Sequence, residues 1–362
     1  MDAHITQHGD TAAVRVGDRA FAVQTPPGWL TGIGAVDFAL FGLAAISMSD
    51  NIEITLHQPV TASAAESLER LTYTYRSFTL ASLAPLRLRL TTVLPDPPVP
   101  ATGRKILCLS GGIDSTAAAI EAVTRHGYTH ALLVAGADYA SAAQPGFADL
   151  RMRVERNAAR LGLQLLVVET GIRALAVDWE LTHALCLAMC LHALDGQFDA
   201  GGVGADVPEA GDLIQHPWGS GHAVFGLLGT RTLPIDRFNH TLRRPEKLAR
   251  IVAHEPGLAH ELSFCWRDTT IGGNCGACFK CMRTRMNFIA IGADATGLFR
   301  DTPDILTYVR ALSVPKSFKD LRIALYHLGE THHFLPDGPL KAALGHHVDA
   351  LREAYVRAMP YR

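Results

Sequence analysis

The stretch Ser110-Gly111-Gly112-Ile113-Asp114-Ser115 decides how this chain is interpreted. A short apolar run at residues 105–109 precedes it and predicts a buried strand. An alanine-rich run at residues 116–123 follows and predicts a helix. A glycine-rich turn between a strand and a helix N-terminus gathers backbone N–H groups, and the helix dipole adds about half a positive charge there. The stretch therefore predicts an anion site.

The residue types in the turn suit phosphate oxygens. Gly111 and Gly112 let the main chain approach a ligand closely, while Ser110 and Ser115 add hydroxyl donors. Asp114 is unusual in a loop built for anions, unless it orients the loop or reaches a Mg²⁺ that bridges phosphates. The pattern is neither a Walker loop nor a dinucleotide fingerprint. The alternative is a tight Gly-Gly turn with ordinary Ser and Asp caps.

The loop resembles the pyrophosphate loop of the N-type ATP pyrophosphatases, whose signature is Ser-Gly-Gly-x-Asp-Ser after the first strand. Those enzymes cut ATP between the α- and β-phosphates and leave an adenylated substrate. The resemblance implies ATP and Mg²⁺ as cofactors, with Asp114 and Ser115 in catalytic roles. It also implies the following contacts to ATP and pyrophosphate: Ser110, Gly111, Gly112, Ile113, Asp114, Ser115 and Thr116.

The chain divides into three predicted parts. Residues 1–94 form an α+β accessory domain, and the stretch at 95–103, with four prolines in six residues, is a semi-rigid linker. Residues 104–295 form the domain that carries the phosphate loop. Residues 296–362 form a helical C-terminal extension.

Strands alternate with helices after the linker, which predicts a doubly wound parallel sheet in an α/β fold. The resemblance makes that sheet Rossmann-like, of the adenine nucleotide alpha hydrolase type. Predicted strands follow the first one at 129–136, 163–169, 200–204 and 231–235. Because ligands of such sheets bind beyond the carboxyl ends of the strands, the turns after residues 135, 169 and 204 should supply the rest of the site.

Four cysteines form a C-x9-C-x2-C-x2-C pattern: Cys265, Cys275, Cys278 and Cys281. Four thiolates at such spacing suit a tetrahedral structural Zn²⁺, and Gly272, Gly273 and Gly276 permit the turns that bend the chain around a metal. An iron–sulfur cluster also uses four cysteines and ranks below zinc. Four unrelated buried thiols are the remaining alternative.

A phosphate loop followed about 150 residues later by a four-cysteine knuckle resembles the 7-cyano-7-deazaguanine synthase family over residues 104–292. The resemblance implies an ATP-dependent carbon–nitrogen ligase that adenylates a carboxylate or carbonyl and then adds nitrogen with loss of AMP. About a hundred extra residues in front, and a different sequence at 215–222, set this chain apart. The acceptor, a small molecule or a protein terminus, stays open.

Five residues are candidates for contacting that acceptor: Asp206, His216, Trp218, His222 and Arg231. Trp218 would stack on a flat substrate, and the histidines would move a proton or bond a carboxylate. Asp206 would accept hydrogen bonds from a heterocycle, while Arg231, like Arg237, would neutralise an anion. The alternative is a surface loop with one packed Trp and exposed arginines.

Two further functions stay open. A sulfur transferase would use the same adenylation, and Cys186 and Cys190, four apart on one predicted helix face, would carry the sulfur. Their apolar neighbours favour buried, inert thiols instead. The other function is a module that senses ATP without turnover.

The composition excludes some classes of protein. The net charge is −2 with a pI near 6.8, so no nucleic-acid footprint is expected. No apolar run reaches the ~20 residues of a membrane span, and the N-terminus does not read as a signal peptide. We expect a cytoplasmic protein whose seven cysteines are ligands or free thiols. The oligomeric state stays open, with a homodimer as one option.

Overall fold

The structure, a computed structural model, describes residues 1–30, 36–77, 83–99, 101–175, 177–212, 218–265 and 272–358. Its strands are β1 (Asp2–His8), β2 (Thr11–Val16), β3 (Arg19–Gln24), β4 (Ile54–Leu56), β5 (Val60–Thr61), β6 (Leu88–Leu90), β7 (Val93–Leu94), β8 (Lys105–Cys108), β9 (His130–Ala135), β10 (Gln164–Thr170), β11 (Ala200–Gly204) and β12 (Ile235–Phe238).

The α-helices follow the same chain order. They are α1 (Asp37–Asp50), α2 (Ala62–Tyr75), α3 (Ile113–His126), α4 (Pro145–Arg160), α5 (Trp179–His192), α6 (Glu209–Asp212), α7 (His222–Phe225), α8 (Arg244–His254), α9 (Pro256–His260), α10 (Phe279–Ala290), α11 (Ile305–Arg310), α12 (Phe318–Phe334) and α13 (Pro339–Ala358). Within the described residues no helix has the length and apolar character needed to cross a membrane.

One large mixed sheet runs through the molecule in the order β12-β11-β8-β9-β10-β3-β2-β1-β4-β6. The first five strands pair in parallel, as expected for an α/β fold. β3 then joins β10 antiparallel, with Glu169 opposite Gln24 and Thr170 opposite Val23. Five N-terminal strands therefore extend the same sheet, while β5 and β7 pair in a separate two-stranded sheet.

The parallel strands bury both faces. In and just after β8, Ile106 and Cys108 belong to the apolar cluster that includes α1 and α5. Leu107 and Leu109 belong to the cluster that includes α3, α4 and α8. Because successive side chains of a strand point to opposite faces, helices cover the sheet on both sides. α11, α12 and α13 gather a third apolar cluster against Met286 of α10.

The prediction of a strand at 231–235 was wrong, since β12 begins at Ile235. Residues 230–233 form a turn instead, closed by the Thr230 N–H donating to the Leu233 carbonyl. The Thr230 hydroxyl also lies 3.2 Å from the Thr232 hydroxyl, so side chains that favour strands here stabilise a turn.

Candidate functional site

The loop at residues 110–115 lies where β8 ends and α3 begins, at the carboxyl edge of the parallel strands. Gly111 has a φ of +81°, and a Cβ at this position would come within 3.0 Å of Val154. Its carbonyl accepts the N–H of Ser263 at 2.9 Å. A glycine is therefore required here by conformation and by the close approach of α4.

Backbone N–H groups at the start of α3 face the loop without a side-chain cap. The N-cap is Gly112, which offers no side chain to them. The Ser115 hydroxyl accepts the Ser110 N–H at 3.2 Å and donates to the Gly112 carbonyl at 3.2 Å. Ile113 and Thr116 are fully buried, and the Thr116 N–H already donates to the Gly112 carbonyl at 3.0 Å, so neither residue presents an exposed group to a ligand. The loop is thus held in shape by its own residues, with N–H donors left for an anion.

A cavity of about 140 Å³ adjoins the loop. It lies at the ends of β8, β9 and β11, where the strand order reverses between β8 and β11. Ser110, Asp114 and Ser115 line it on the loop side, and Tyr139 and Gly204 line it from the turn after β9 and from the end of β11. The loop therefore opens onto an enclosed space at the position where doubly wound sheets hold ligands.

The Asp114 carboxylate forms ion pairs with two cations. One carboxylate oxygen accepts from Arg244 Nη1 at 2.6 Å and the other from Lys247 Nζ at 3.0 Å. Burial raises the pKa of the Asp114 carboxyl, but the Arg244 and Lys247 charges prevail and hold it below its usual value. These contacts fit the orienting role, and they do not fit Asp114 as a Mg²⁺ ligand.

Sequence reasoning missed these cations. Lys247 is fully buried and also donates to the Ala205 carbonyl at 2.5 Å, which ties the turn after β11 to the phosphate loop. On α8 the buried positions are Arg244, Lys247, Leu248 and Ile251, together with Pro245. The available signal was two basic residues at i and i+3 within an otherwise apolar stripe, where solvated charges do not belong.

A third buried cation approaches the same place from α10. Arg283 is 4% exposed, and burial together with the Arg244 charge lowers its pKa to about 9. Its guanidinium has no hydrogen-bond partner among the described residues, while Asp114 lies close enough to act on it electrostatically. Arg244, Lys247 and Arg283 therefore form a cluster of buried cations beside the phosphate loop, with Asp114 and Glu330 as acidic neighbours.

Asp206 and Trp218, both predicted to contact substrate, contact each other. The Trp218 indole N–H donates to Asp206 Oδ2 at 2.5 Å, and the Ser220 hydroxyl donates to the same oxygen at 2.8 Å. The Trp218 ring lies edge-on to His183, with centroids 5.7 Å apart. Trp218 and Ser220 thus hold the loop beside the end of β11. This agrees with the alternative of a surface loop with one packed Trp more than with contact to a substrate.

The other predicted acceptor residues do not converge on that point. His222 is exposed and lies 3.3 Å from Glu209, in a surface group that includes His240. Arg231 is exposed at the opposite end of β12, where its N–H donates to the Ser63 hydroxyl. His216 lies outside the described residues.

The four cysteines of the knuckle lie together and are buried. Their sulfur atoms are all within 4.8 Å of one another, with Cys265–Cys278 at 3.9 Å and Cys275–Cys281 at 3.8 Å. Sulfurs around a tetrahedral metal with bonds of about 2.3 Å lie about 3.8 Å apart. The cluster could therefore hold a metal ion such as zinc.

The backbone around the cluster is shaped for it. Gly272, Gly273 and Gly276 all have positive φ, as predicted. A Cβ at Gly276 would lie 1.7 Å from the Asp301 carbonyl oxygen, so no other residue fits. The buried Asn274 amide donates to the Leu262 and Leu298 carbonyls and accepts the N–H of residue 264, which fastens both sides of the knuckle.

The knuckle and the phosphate loop are neighbours in space. Ser263, which donates to the Gly111 carbonyl, stands two residues before Cys265. Arg283 stands two residues after Cys281 and reaches the Asp114 side of the loop. The chain thus enters and leaves the cysteine cluster at residues that face the candidate site.

The remaining cysteines differ in position. Cys186 and Cys190 are buried on α5, and burial raises the pKa of Cys186 to about 12 and that of Cys190 well above its usual value. Cys108 lines the cavity beside the loop, but burial raises its pKa to about 12 as well. All three are poor nucleophiles in this setting.

Comparison with known proteins adds no name to this geometry, because no family model, no curated protein and no solved structure matches the chain significantly.

Proposed function

We propose that the chain is an ATP-dependent ligase that forms AMP and pyrophosphate, as a longer relative of the N-type ATP pyrophosphatases. It adenylates a carboxylate or carbonyl oxygen, and a nitrogen nucleophile then displaces AMP. The observation that carries the proposal is the uncapped α3 N-terminus beside an enclosed cavity at the strand-order reversal of a parallel sheet. In this proposal the parallel sheet is of the Rossmann-like adenine nucleotide alpha hydrolase type.

The residues have distinct parts in this reaction. Loop N–H groups of residues 111–115 bind the phosphate oxygens of ATP, and Ser115 holds the loop closed around them. Asp114 acts as a positioning residue because it fixes Arg244 and Lys247. The cations Arg244, Lys247 and Arg283 beside the loop stabilise pyrophosphate as it departs. The cavity beside the loop keeps water from part of the adenylate.

Zinc is the proposed occupant of the cysteine knuckle. The donor set of four thiolates fits a structural Zn²⁺, which would crosslink the segments on either side of the loop. It supplies no chemistry to the adenylation. A sulfur-transfer function is less well supported, because the cysteines that would carry sulfur are buried with raised pKa values.

The position of ATP cleavage tests the proposal. With ATP and Mg²⁺ alone, water takes the place of the acceptor, and the full chain should hydrolyse ATP to AMP and pyrophosphate, which chromatography separates from ADP and phosphate. Ser115→Ala should lower that release by about 10²-fold, the usual cost of a lost electrostatic contact in an active site. Thr124→Ala, on the exposed part of the same helix, is the matched control and should leave it unchanged. Release of ADP and phosphate would contradict the proposal.

A further inference from the structure

A second and larger cavity, of about 410 Å³, lies between the C-terminal helices and the turn after β11. α12 and α13 form one wall, and the turn at 208–211 forms the other. Arg243, the N-cap of α8, closes one end. None of the predicted acceptor residues in the described part of the chain lines this space, and its size is that of a small-molecule site.

Three polar groups in the wall have hydrogen-bonding capacity that the described residues leave unused. The Arg243 guanidinium has no carboxylate partner there and lies 5.9 Å from the centre of the Phe334 ring. The Tyr326 hydroxyl makes no hydrogen bond, although it stands against Gly211. The Glu330 carboxylate uses one oxygen to accept the Arg244 N–H at 3.3 Å, and its other oxygen is unused.

Arg243 and Glu330 carry opposite charges into one cavity without pairing with each other. Burial raises the pKa of the Glu330 carboxyl, against the opposing charges of Arg283 and Arg244. Glu330 is the more buried of the two and Arg243 is exposed, so a ligand that contacts both would gain a charge-assisted hydrogen bond at each end. An apolar ligand would leave both without partners.

The cavity is connected to the phosphate loop by one residue. Arg244 donates its N–H to Glu330 and its guanidinium to Asp114 of the loop. Burial raises the pKa of the Tyr326 hydroxyl, and the charges of Glu330, Asp206 and Asp114 raise it further. A molecule in the cavity is thus next to the site where ATP would bind.

We propose that this cavity binds the acceptor, and that the acceptor is a small carboxylate bearing N–H donors, with its carboxylate towards Arg243 and its N–H edge towards Glu330. The inference rests on the proposed function, and it assigns the acceptor site to the C-terminal helices instead of the loop that holds Trp218. Two sources share this chemistry, nitrogen heterocycles with a carboxylate and α-amino acids.

Calorimetry on the full chain without ATP tests the assignment with four probes. Pterin-6-carboxylate and leucine each carry both groups, while pterin lacks the carboxylate and 4-methylpentanoate lacks the amine. At least one of the first two should bind, and its counterpart should bind at least tenfold more weakly. Which of the two binds identifies the source. Binding of none of them, or equal binding within a pair, overturns the proposal.

Variants then locate the bound probe. Glu330→Gln and Arg243→Met should each weaken binding at least tenfold. Arg243 is exposed, so its variant should fold even if the buried Glu330 variant does not. Glu353→Gln and Arg357→Met, an exposed pair on α13 outside the cavity, are the controls and should bind as the unaltered chain does. Unchanged affinity in the Arg243 variant overturns the assignment.

The outcome separates this inference from the proposed function. Cleavage of ATP to AMP without probe binding rejects the acceptor site alone. Probe binding without cleavage to AMP rejects the ligase alone.

Discussion

The phosphate loop and the cysteine knuckle are adjacent, but they are held in opposite ways. The loop is fixed by contacts that the protein makes with itself: Ser115 with Ser110, Asp114 with Arg244 and Lys247, and Gly111 with Ser263. The knuckle brings four sulfur atoms together with only weak sulfur–sulfur contacts between them. The loop is therefore held by contacts within the protein, whereas the knuckle could hold an added metal ion.

Hydrogen bonds between the thiols of the knuckle change their pKa values. A hydrogen bond from the Cys281 thiol lowers the pKa of Cys278 to about 5, and the same contact raises the pKa of Cys281 far above its usual value. A single thiolate is thus stabilised by its neighbours. A divalent metal would replace the protons and allow all four sulfurs to carry charge.

Removing one ligand should break the knuckle and gives the largest expected effect. Cys278→Ser should abolish zinc binding and lower stability severely, because structural zinc contributes about 10–16 kcal/mol to folding in small domains. Elemental analysis and thermal melting measure both consequences. Cys186→Ala, a buried cysteine outside the knuckle, should keep one zinc per chain. A zinc-free Cys278→Ser protein that melts like the unaltered chain would show that no metal holds this region.

Removing the central anion of the loop should give the next largest effect. Asp114→Asn leaves Arg244 and Lys247 buried without their partner, which should lower the free energy of unfolding by about 3–5 kcal/mol. Urea denaturation measures the change. Asp138→Asn, in the wall of the same cavity, is the control and should cost less than 1 kcal/mol. Equal stability of the two variants would mean that the ion pairs do not brace the loop.

The pH dependence of stability tests the same ion pairs of Asp114. Because the folded-state pKa of Asp114 is lowered, its stabilising contribution is present above the ordinary value of 3.8 and is lost as the pH falls below it. The gap in unfolding free energy between the unaltered chain and Asp114→Asn should therefore narrow on acidification. Unfolding curves at a series of pH values measure it. A gap that is constant through this range would contradict the assigned ion pairs.

The smallest expected change in stability comes from the loop hydroxyl. Ser115→Ala removes hydrogen bonds that are partly replaced by water, so it should cost about 1 kcal/mol. The same variant should lose ATP cleavage almost entirely. Stability and activity measured on one preparation distinguish a residue that serves chemistry from one that serves folding. A large loss of stability would mean that Ser115, like Asp114, mainly holds the loop in its folded shape.

Local patterns predicted what local physics determines. The strand, the glycine turn and the helix around Ser110 to Ser115 follow from short-range propensity, and the glycine conformations of the knuckle follow from cysteine spacing. The sequence marks Arg244 and Lys247 as basic residues in an apolar stripe, but it does not show that they bind Asp114, which is 130 and 133 positions away. Trp218 illustrates the opposite case, where a residue suited to a ligand is satisfied by the protein.

The antiparallel joint between β3 and β10 has a consequence for synthesis. Gln24 and Glu169 pair across 145 intervening steps of the chain (169 − 24), and ribosomes add about 5–20 residues per second. The first three strands therefore leave the ribosome about 7–30 s before the strand that completes their edge. During that interval β3 exposes a row of unpaired N–H and C=O groups, which is the feature through which nascent sheets aggregate. Protection of that edge during translation is thus a requirement that this topology places on the cell.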